Sequence, residues 1–259
     1  MLAFFLLTSI TLKTGKVLFF SSPLPLPIYS LLFLFVFFSF FSLSFLFSRY
    51  ESTFGVNHLA HFLLTQLLIE HLEHPARIIF IGSATHDPAK KTGAPIPVYT
   101  SARELAIPPH QEDKEEEKED SKAGQRRYST SKLCNVLCAY EMVRRLKEEE
   151  GGEVPRVSVG VFEPGLMPGT GLARDHGAVL KFAWNYIFPI VILFMSNAHT
   201  AATSGASLAR LVADEGVGIH NKYFEGRKEI PSSEESYDEE KAKDLWETSL
   251  ELVGLVTKE

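Results

Sequence analysis

No Asp, Glu, Lys, Arg or His occurs between positions 17 and 48, and 12 of the chain's 20 phenylalanines lie before residue 50. A chain with so abrupt a change of texture cannot be read as one uniform domain. Pro23, Pro25 and Pro27 break helix and central strand alike, leaving only 17–20 as a candidate strand in this region. Segment 31–47 is apolar apart from Ser39, Ser42 and Ser44, and its length meets the short end of the roughly 17 to 25 residues that span a bilayer. It reads as a membrane anchor ahead of a secretory signal, because the run is too long for a usual signal core and no small-residue cleavage site follows. Lys13 and Lys16 on one side face Arg49, next to Glu51, on the other, which leaves orientation open. The expected division is an apolar segment 1–49 and a catalytic portion 50–259. The protein is then membrane-associated through 31–47, or cytoplasmic if that segment is no anchor.

From Tyr50 the pattern is that of an ordinary folded domain. Ser52 and Thr53 offer N-cap oxygens, and Phe54, Leu59, Phe62, Leu63, Leu67 and Leu68 recur on one helical face, predicting a helix to about His71. Pro75 precedes Arg77-Ile-Ile-Phe-Ile81, a continuous apolar run ending at Gly82-Ser83 that reads as a strand buried on both faces. The charge run 113–120, DKEEEKED, has no apolar face and reads as a solvated loop or exposed helix. A helix is expected over 128–150, ended by Gly151-Gly152, and a second buried strand over 156–162 running into Pro164-Gly165. After an apolar stretch at 179–195, an amphipathic helix at 200–213, a last strand at 218–224 and a terminal helix at 237–255 complete the chain. Leu245, Trp246, Leu250 and Leu252 are the packing residues of that last helix. Helices alternate with strands, as in an α/β parallel sheet with crossover helices, and no internal repeat is visible.

Composition narrows the function. A net charge of −6 with no basic stripe excludes nucleic acid as the expected partner. Cys134 and Cys138, the only cysteines, are too few and wrongly spaced for a disulfide framework or zinc site and read as reduced and buried. His58, His61 and His86 form no set with ligand spacing and read as surface or helix-capping residues, so no metal is implied.

The chemistry-bearing unit is Ser83 at the end of a strand, followed after a long loop by Tyr128-Ser-Thr-Ser-Lys132 at the start of a helix. Residues four apart share a helical face, so the Lys132 ammonium can lie near the Tyr128 hydroxyl and pull its pKa down from about 10. A tyrosine so tuned passes a proton at neutral pH. Ser83 would present its hydroxyl in the crevice where open α/β sheets bind ligands, ready to bond a carbonyl or alcohol.

At four points in order, STFGVNHLAHFLLT from Ser52, RIIFIGSATH from Arg77, YSTSK from Tyr128 and VFEPGLMPGTGL from Val161, the chain resembles the short-chain dehydrogenase/reductase family. The look is nearest the branch of retinol dehydrogenases and protochlorophyllide reductases, which share a terminal helix like that from Ser236. The resemblance implies a Rossmann-like doubly wound parallel sheet and hydride transfer between NADP(H), in preference to NAD(H), and a carbonyl, alcohol or activated double bond. It implies that Asn57 supports a water-mediated proton relay, Ser83 binds substrate, Tyr128 is the general acid/base, and Lys132 with Tyr128 meets the nicotinamide ribose. Pro164 and Gly165 would bring backbone close to the nicotinamide, and Thr170, one place off the family spacing, would bond its carboxamide. Segment 179–195 occupies the place of the family's substrate lid, so a small hydrophobic carbonyl or alcohol is the expected substrate.

The chain departs from the family at its start. Thr14-Gly15-Lys16 is followed by Ser21-Ser-Pro in place of a TGxxxGxG turn, whose glycines let the cofactor pyrophosphate approach a helix end, and the NNAG strand end is missing. The expected fold is therefore truncated in its amino-terminal half. Three readings follow: an impaired or incomplete reductase, a membrane-anchored reductase, and an inactive remnant serving as a membrane-associated interaction protein. Substrate identity and oligomeric state are not legible.

Overall fold

The computed structural model describes residues 49–109, 117–150, 155–167 and 199–255. The possible strand at 17–20, segment 31–47, the apolar stretch 179–195 and Thr170 lie outside these residues. The elements are α1 (Ser52–Phe54), a π-helical turn (Gly55–Leu59), α2 (Ala60–Ile69), β1 (Ala76–Ile81) and α3 (Ala102–Ala106). They continue with α4 (Glu117–Glu150), β2 (Val157–Glu163), α5 (Ala201–Ala213), β3 (Lys222–Glu225), β4 (Lys228–Ile230) and α6 (Glu239–Leu252).

The strands form one sheet in the order β1-β2-β3-β4. β1 and β2 are parallel in the register Ala76↔Val157 to Ile81↔Phe162, β2 and β3 are parallel, and β4 folds back antiparallel on β3. The fold is thus a Rossmann-like α/β sheet, mixed at one edge. The single expected strand at 218–224 is replaced by the β3–β4 hairpin. Its turn is at Gly226, with φ +59°, and β4 pairs over only three residues, too few for a periodic signal.

Two cores flank the sheet. Ile78, Phe80, Val157, Val159, Val161 and Tyr223 face α4 and α6, where Leu133, Leu137 and Leu245 are wholly buried and Phe62 meets Trp246 edge to face at 5.0 Å. On the other face Phe162 and Phe224 join Leu208, Leu211 and Ile219, with Ile79 and Ile81 packed against them. The strand alternation sends neighbouring residues to opposite faces, so continuous apolar runs are needed. Both cysteines are free and buried, as expected.

Several local expectations are corrected. Glu51, not Ser52 or Thr53, caps the first helix, its carboxylate accepting from the Thr53 and Phe54 amides at 3.0 and 2.7 Å. Leu67 is 53% exposed, because the π-helical turn rotates the apolar stripe away from ideal helical phase. α4 begins at Glu117, so Tyr128 lies well inside the helix and not at its start. His58 and His86 are buried at 1% and 2% exposure, not on the surface. Among the described residues no helix is long and apolar enough to cross a membrane.

Gly160 marks the tightest approach in the sheet: a Cβ there would lie 2.7 Å from the Ile219 carbonyl oxygen. Gly160→Ala is expected to destabilise the fold by about 1–3 kcal/mol through overpacking. Gly205→Ala on α5, where a Cβ meets nothing within 4 Å, should instead stabilise by roughly 0.5–1 kcal/mol. Urea unfolding of the two variants beside the wild type checks both signs.

Candidate active site

Parallel pairing brings the carboxyl ends of β1 and β2 to one rim. There the Gly82 amide donates to the Phe162 carbonyl at 2.9 Å, setting the loops from Ser83 and Pro164 side by side. Gly82 is required by crowding, since a Cβ would meet Val161 Cγ1 at 3.0 Å and the Tyr223 hydroxyl at 3.3 Å. Ser83 itself is extended, and its Oγ accepts from the Thr85 amide and hydroxyl at 3.4 and 3.2 Å, capping the 3-10 turn Ala84–His86. Because Oγ accepts from both groups, the Ser83 hydroxyl proton is left to donate elsewhere.

Helix α4 crosses the same rim. Lys132 Nζ and Asn135 Nδ2 both donate to the Ile81 carbonyl, at 3.3 and 3.2 Å, fixing the helix to the end of β1. The Tyr128 ring lies one turn earlier, its centroid 5.6 Å from Lys132 Nζ. Ser131 links this turn to the π-helical turn: its Oγ donates to the Tyr128 carbonyl at 2.7 Å and accepts from Asn57 Nδ2 at 3.0 Å. Asn57, Ser83, Tyr128 and Lys132 are thus brought around one region. The Asn57 carbonyl is met by His61 Nδ1 at 3.2 Å.

The electrostatics differ from expectation. Tyr128 is 36% exposed as a residue, yet desolvation of its hydroxyl pushes the phenol pKa up, a hydrogen bond with Ser83 opposes this, and the Glu163 charge adds to it. The expected lowering by Lys132 is not found, because the ammonium turns toward the Ile81 carbonyl. Burial lowers Lys132 to about 8.

Glu163 was not anticipated as part of this region. It is 3% exposed at the end of β2, accepts from the Tyr223 hydroxyl at 2.7 Å, and is pushed up from the usual carboxylate range by burial. The available signal was an acid ending an apolar strand immediately before Pro164-Gly165. Gly165 has φ +74°, a conformation that suits glycine, and the Pro164 carbonyl accepts from Ser204 Oγ at 2.8 Å, so α5 holds this loop. His58 is structural: it lies 2.9 Å from Ser249 Oγ, and burial lowers its pKa to about 3. Among the described residues no cluster of His, Cys, Asp or Glu could hold a metal.

The donor set fits the ribose end of a dinucleotide. Lys132 uses one of its three N–H donors on Ile81, leaving others for hydroxyl oxygens, and the Tyr128 ring is open to solvent beside it. A phenol, a serine hydroxyl and an ammonium so arranged can polarise an oxygen and transfer a proton to it.

Comparison with known proteins finds relatives of this chain. The family described as the AcuH dehydrogenase domain matches residues 173–259. Protochlorophyllide reductase A of Oryza sativa subsp. japonica is 33% identical over 221 residues, covering 80% of this chain and 55% of the relative. Retinol dehydrogenase 13 of Homo sapiens is 35% identical over 208 residues, covering 80% and 55%. The protochlorophyllide reductase of Avena sativa is 31% identical over 220 residues, covering 79% and 67%. The chain spans little more than half the length of the first two. With these relatives matched over about four-fifths of the chain, and with Ser83, Tyr128 and Lys132 gathered at one rim of a Rossmann-like sheet, the chain belongs to the short-chain dehydrogenase/reductase family of oxidoreductases.

Proposed function

We propose that the chain transfers hydride between NADP(H) and a carbonyl, alcohol or activated double bond of a small hydrophobic substrate. The observation that carries this reading is the convergence of Ser83, Tyr128 and Lys132 at the carboxyl end of β1, where Lys132 is tied to the Ile81 carbonyl. When bound, the nicotinamide supplies or takes the hydride. Ser83 orients the substrate oxygen by turning to it the hydroxyl now bonded to Tyr128, and Tyr128 gives that oxygen a proton or takes one from it. Lys132 holds the nicotinamide ribose with Tyr128, and Asn57, through Ser131, steadies the turn that carries Tyr128. Pro164 and Gly165 contribute backbone to the nicotinamide face, with Thr170 as donor to the carboxamide. The names of the relatives, reductases of protochlorophyllide and a dehydrogenase of retinol, support an apolar substrate.

A second reading, a non-enzymatic interaction protein, draws on β1, which among the described residues pairs on one side only. Titration of the purified chain with NADPH and NADH by fluorescence separates the two. Micromolar binding of NADPH that Lys132→Ala loses supports the oxidoreductase; no binding at millimolar cofactor supports the interaction protein. We also propose that 31–47 anchors the chain, which should then stay in the membrane pellet on alkaline carbonate extraction; release into the supernatant counts against the anchor.

Tyr128→Phe removes the proton carrier and leaves Lys132 for the ribose, so kcat for reduction of hydrophobic aldehydes and ketones should fall about 10²–10⁴-fold, with NADPH affinity weakened less than in Lys132→Ala. An unchanged kcat in a steady-state assay would remove Tyr128 from the chemistry.

Lys132 yields a stability test with a defined sign. Its folded pKa of about 8 lies below the ordinary 10.5, so the folded state binds the proton less well than the unfolded chain. The ammonium therefore costs stability below pH 8, and that cost disappears as pH rises from 8 toward 10.5. Lys132→Met should raise Tm at pH 7 and lose this advantage by pH 10 to 11. Thermal melts across that range read it directly, and a variant less stable at pH 7 would contradict it.

A further inference from the structure

His86 lies three residues after Ser83 and is 2% exposed. Its Nε2 is 3.1 Å from the Ser233 backbone nitrogen. A backbone amide can only donate, so Nε2 must carry the lone pair, and the proton of the neutral imidazole sits on Nδ1. Nδ1 is 2.6 Å from the Ser83 carbonyl oxygen and donates to it. The His86 backbone amide donates to the same carbonyl at 3.1 Å. One residue thus supplies both partners of the Ser83 carbonyl and ties it to a segment 147 positions away in sequence.

The far end of this tie is itself held. The Ser233 carbonyl accepts from the Ser236 amide at 3.0 Å and from Ser236 Oγ at 2.6 Å, just before α6. On the side of the sheet the imidazole lies against the Tyr223 ring, centroids 5.1 Å apart, and Tyr223 donates to Glu163. The Ser83 loop therefore has a rigid wall on both sides. We propose that His86 is a positioning residue: as a neutral Nδ1–H imidazole it clamps the Ser83 carbonyl to the Ser233 amide and so holds the Ser83 hydroxyl toward Tyr128. The functional part of this inference rests on the reading of Ser83 as the substrate-binding residue.

The charged and titratable groups around His86 are Asp87 and Lys90 on its own loop, Tyr223 from β3 and, beyond it, Glu163 from β2. Burial outweighs them and keeps the imidazole below its ordinary pKa. A protonated ring would set an N–H on Nε2 against the Ser233 N–H, two donors facing each other, so acid should open the clamp.

The test uses the full chain with His86→Asn, His86→Gln and His86→Ala. Asparagine can present an amide N–H near the Nδ1 position, and glutamine a polar atom near Nε2. In the wild type the imidazole nitrogen NMR spectrum should show one Nδ1–H tautomer that stays neutral at pH 6. Hydrogen exchange at residues 82–87 should speed up in His86→Ala and be restored in part by His86→Asn, more than by His86→Gln. Reductase kcat should fall about 10²-fold in His86→Ala, a misplacement effect, with partial rescue by asparagine. An Nε2–H tautomer, or protonation at the ordinary pKa of about 6.5, would overturn the clamp without reference to activity or to any variant's folding. If Ser83→Ala abolishes turnover while His86→Ala changes neither exchange nor kcat, the positioning role fails. If Ser83→Ala leaves turnover intact, the reading of Ser83 fails instead, and the spectrum and exchange rates still decide whether the clamp exists.

Discussion

The parallel pairing of β1 with β2, in the register that sets Ile81 beside Phe162, governs everything at the functional rim. Parallel strands end on the same side, so the loops after Gly82 and Glu163 must share a rim, and the connection between them must return across the sheet. α4 makes that return. Its placement is fixed by the apolar residues Leu133 and Leu137 against the sheet and by Lys132 and Asn135 on the Ile81 carbonyl. Because Lys132 is one of those two donors, the group proposed for cofactor binding also sets the helix against the strand end. Packing and chemistry therefore cannot be varied independently at this position.

The same rim concentrates buried polar groups. Glu163, Tyr223, His86 and Ser233 are all nearly inaccessible, and their polar contacts link β2, β3, the Ser83 loop and the segment before α6. Buried polar groups are costly unless bonded, and networks of them favour one arrangement over its alternatives. A rim built from apolar side chains would tolerate small shifts of Ser83. One built from directional bonds tolerates fewer, which suits the substrate-orienting role proposed for Ser83.

Much of this was legible in the sequence because the signals were local. The Ile-Ile-Phe-Ile81 run announces a buried strand, and the four-residue step from Tyr128 to Lys132 announces a shared helical face whatever the fold around it. What escaped depended on distant partners. His86 resembles a surface histidine until Ser233 arrives from the far end of the chain; Glu51, by contrast, caps amides only two and three residues on, and escaped because glutamate is not among the favoured N-cap residues. The β3–β4 hairpin was hidden because Lys228 and Glu229 are exposed edge residues with no apolar alternation. The tyrosine's pKa was misjudged for a related reason: helical spacing reports that Lys132 is near, but not that burial and Glu163 outweigh it.

That last difference bears on the direction of the chemistry. A phenol raised above its ordinary pKa is protonated at neutral pH, as an unperturbed phenol also is, so Tyr128 holds a proton to give although it is the weaker acid for the shift. On the proposed reading that is the state in which reduction begins, the substrate oxygen gaining negative charge from the hydride and then the Tyr128 proton. Oxidation requires the phenolate, which burial and the Glu163 charge oppose and the Ser83 hydrogen bond favours. For Tyr128 to work as a base, a further positive charge must be brought beside it. On the proposed reading an oxidised nicotinamide would carry such a charge, and cofactor redox state and tyrosine acidity would then be coupled.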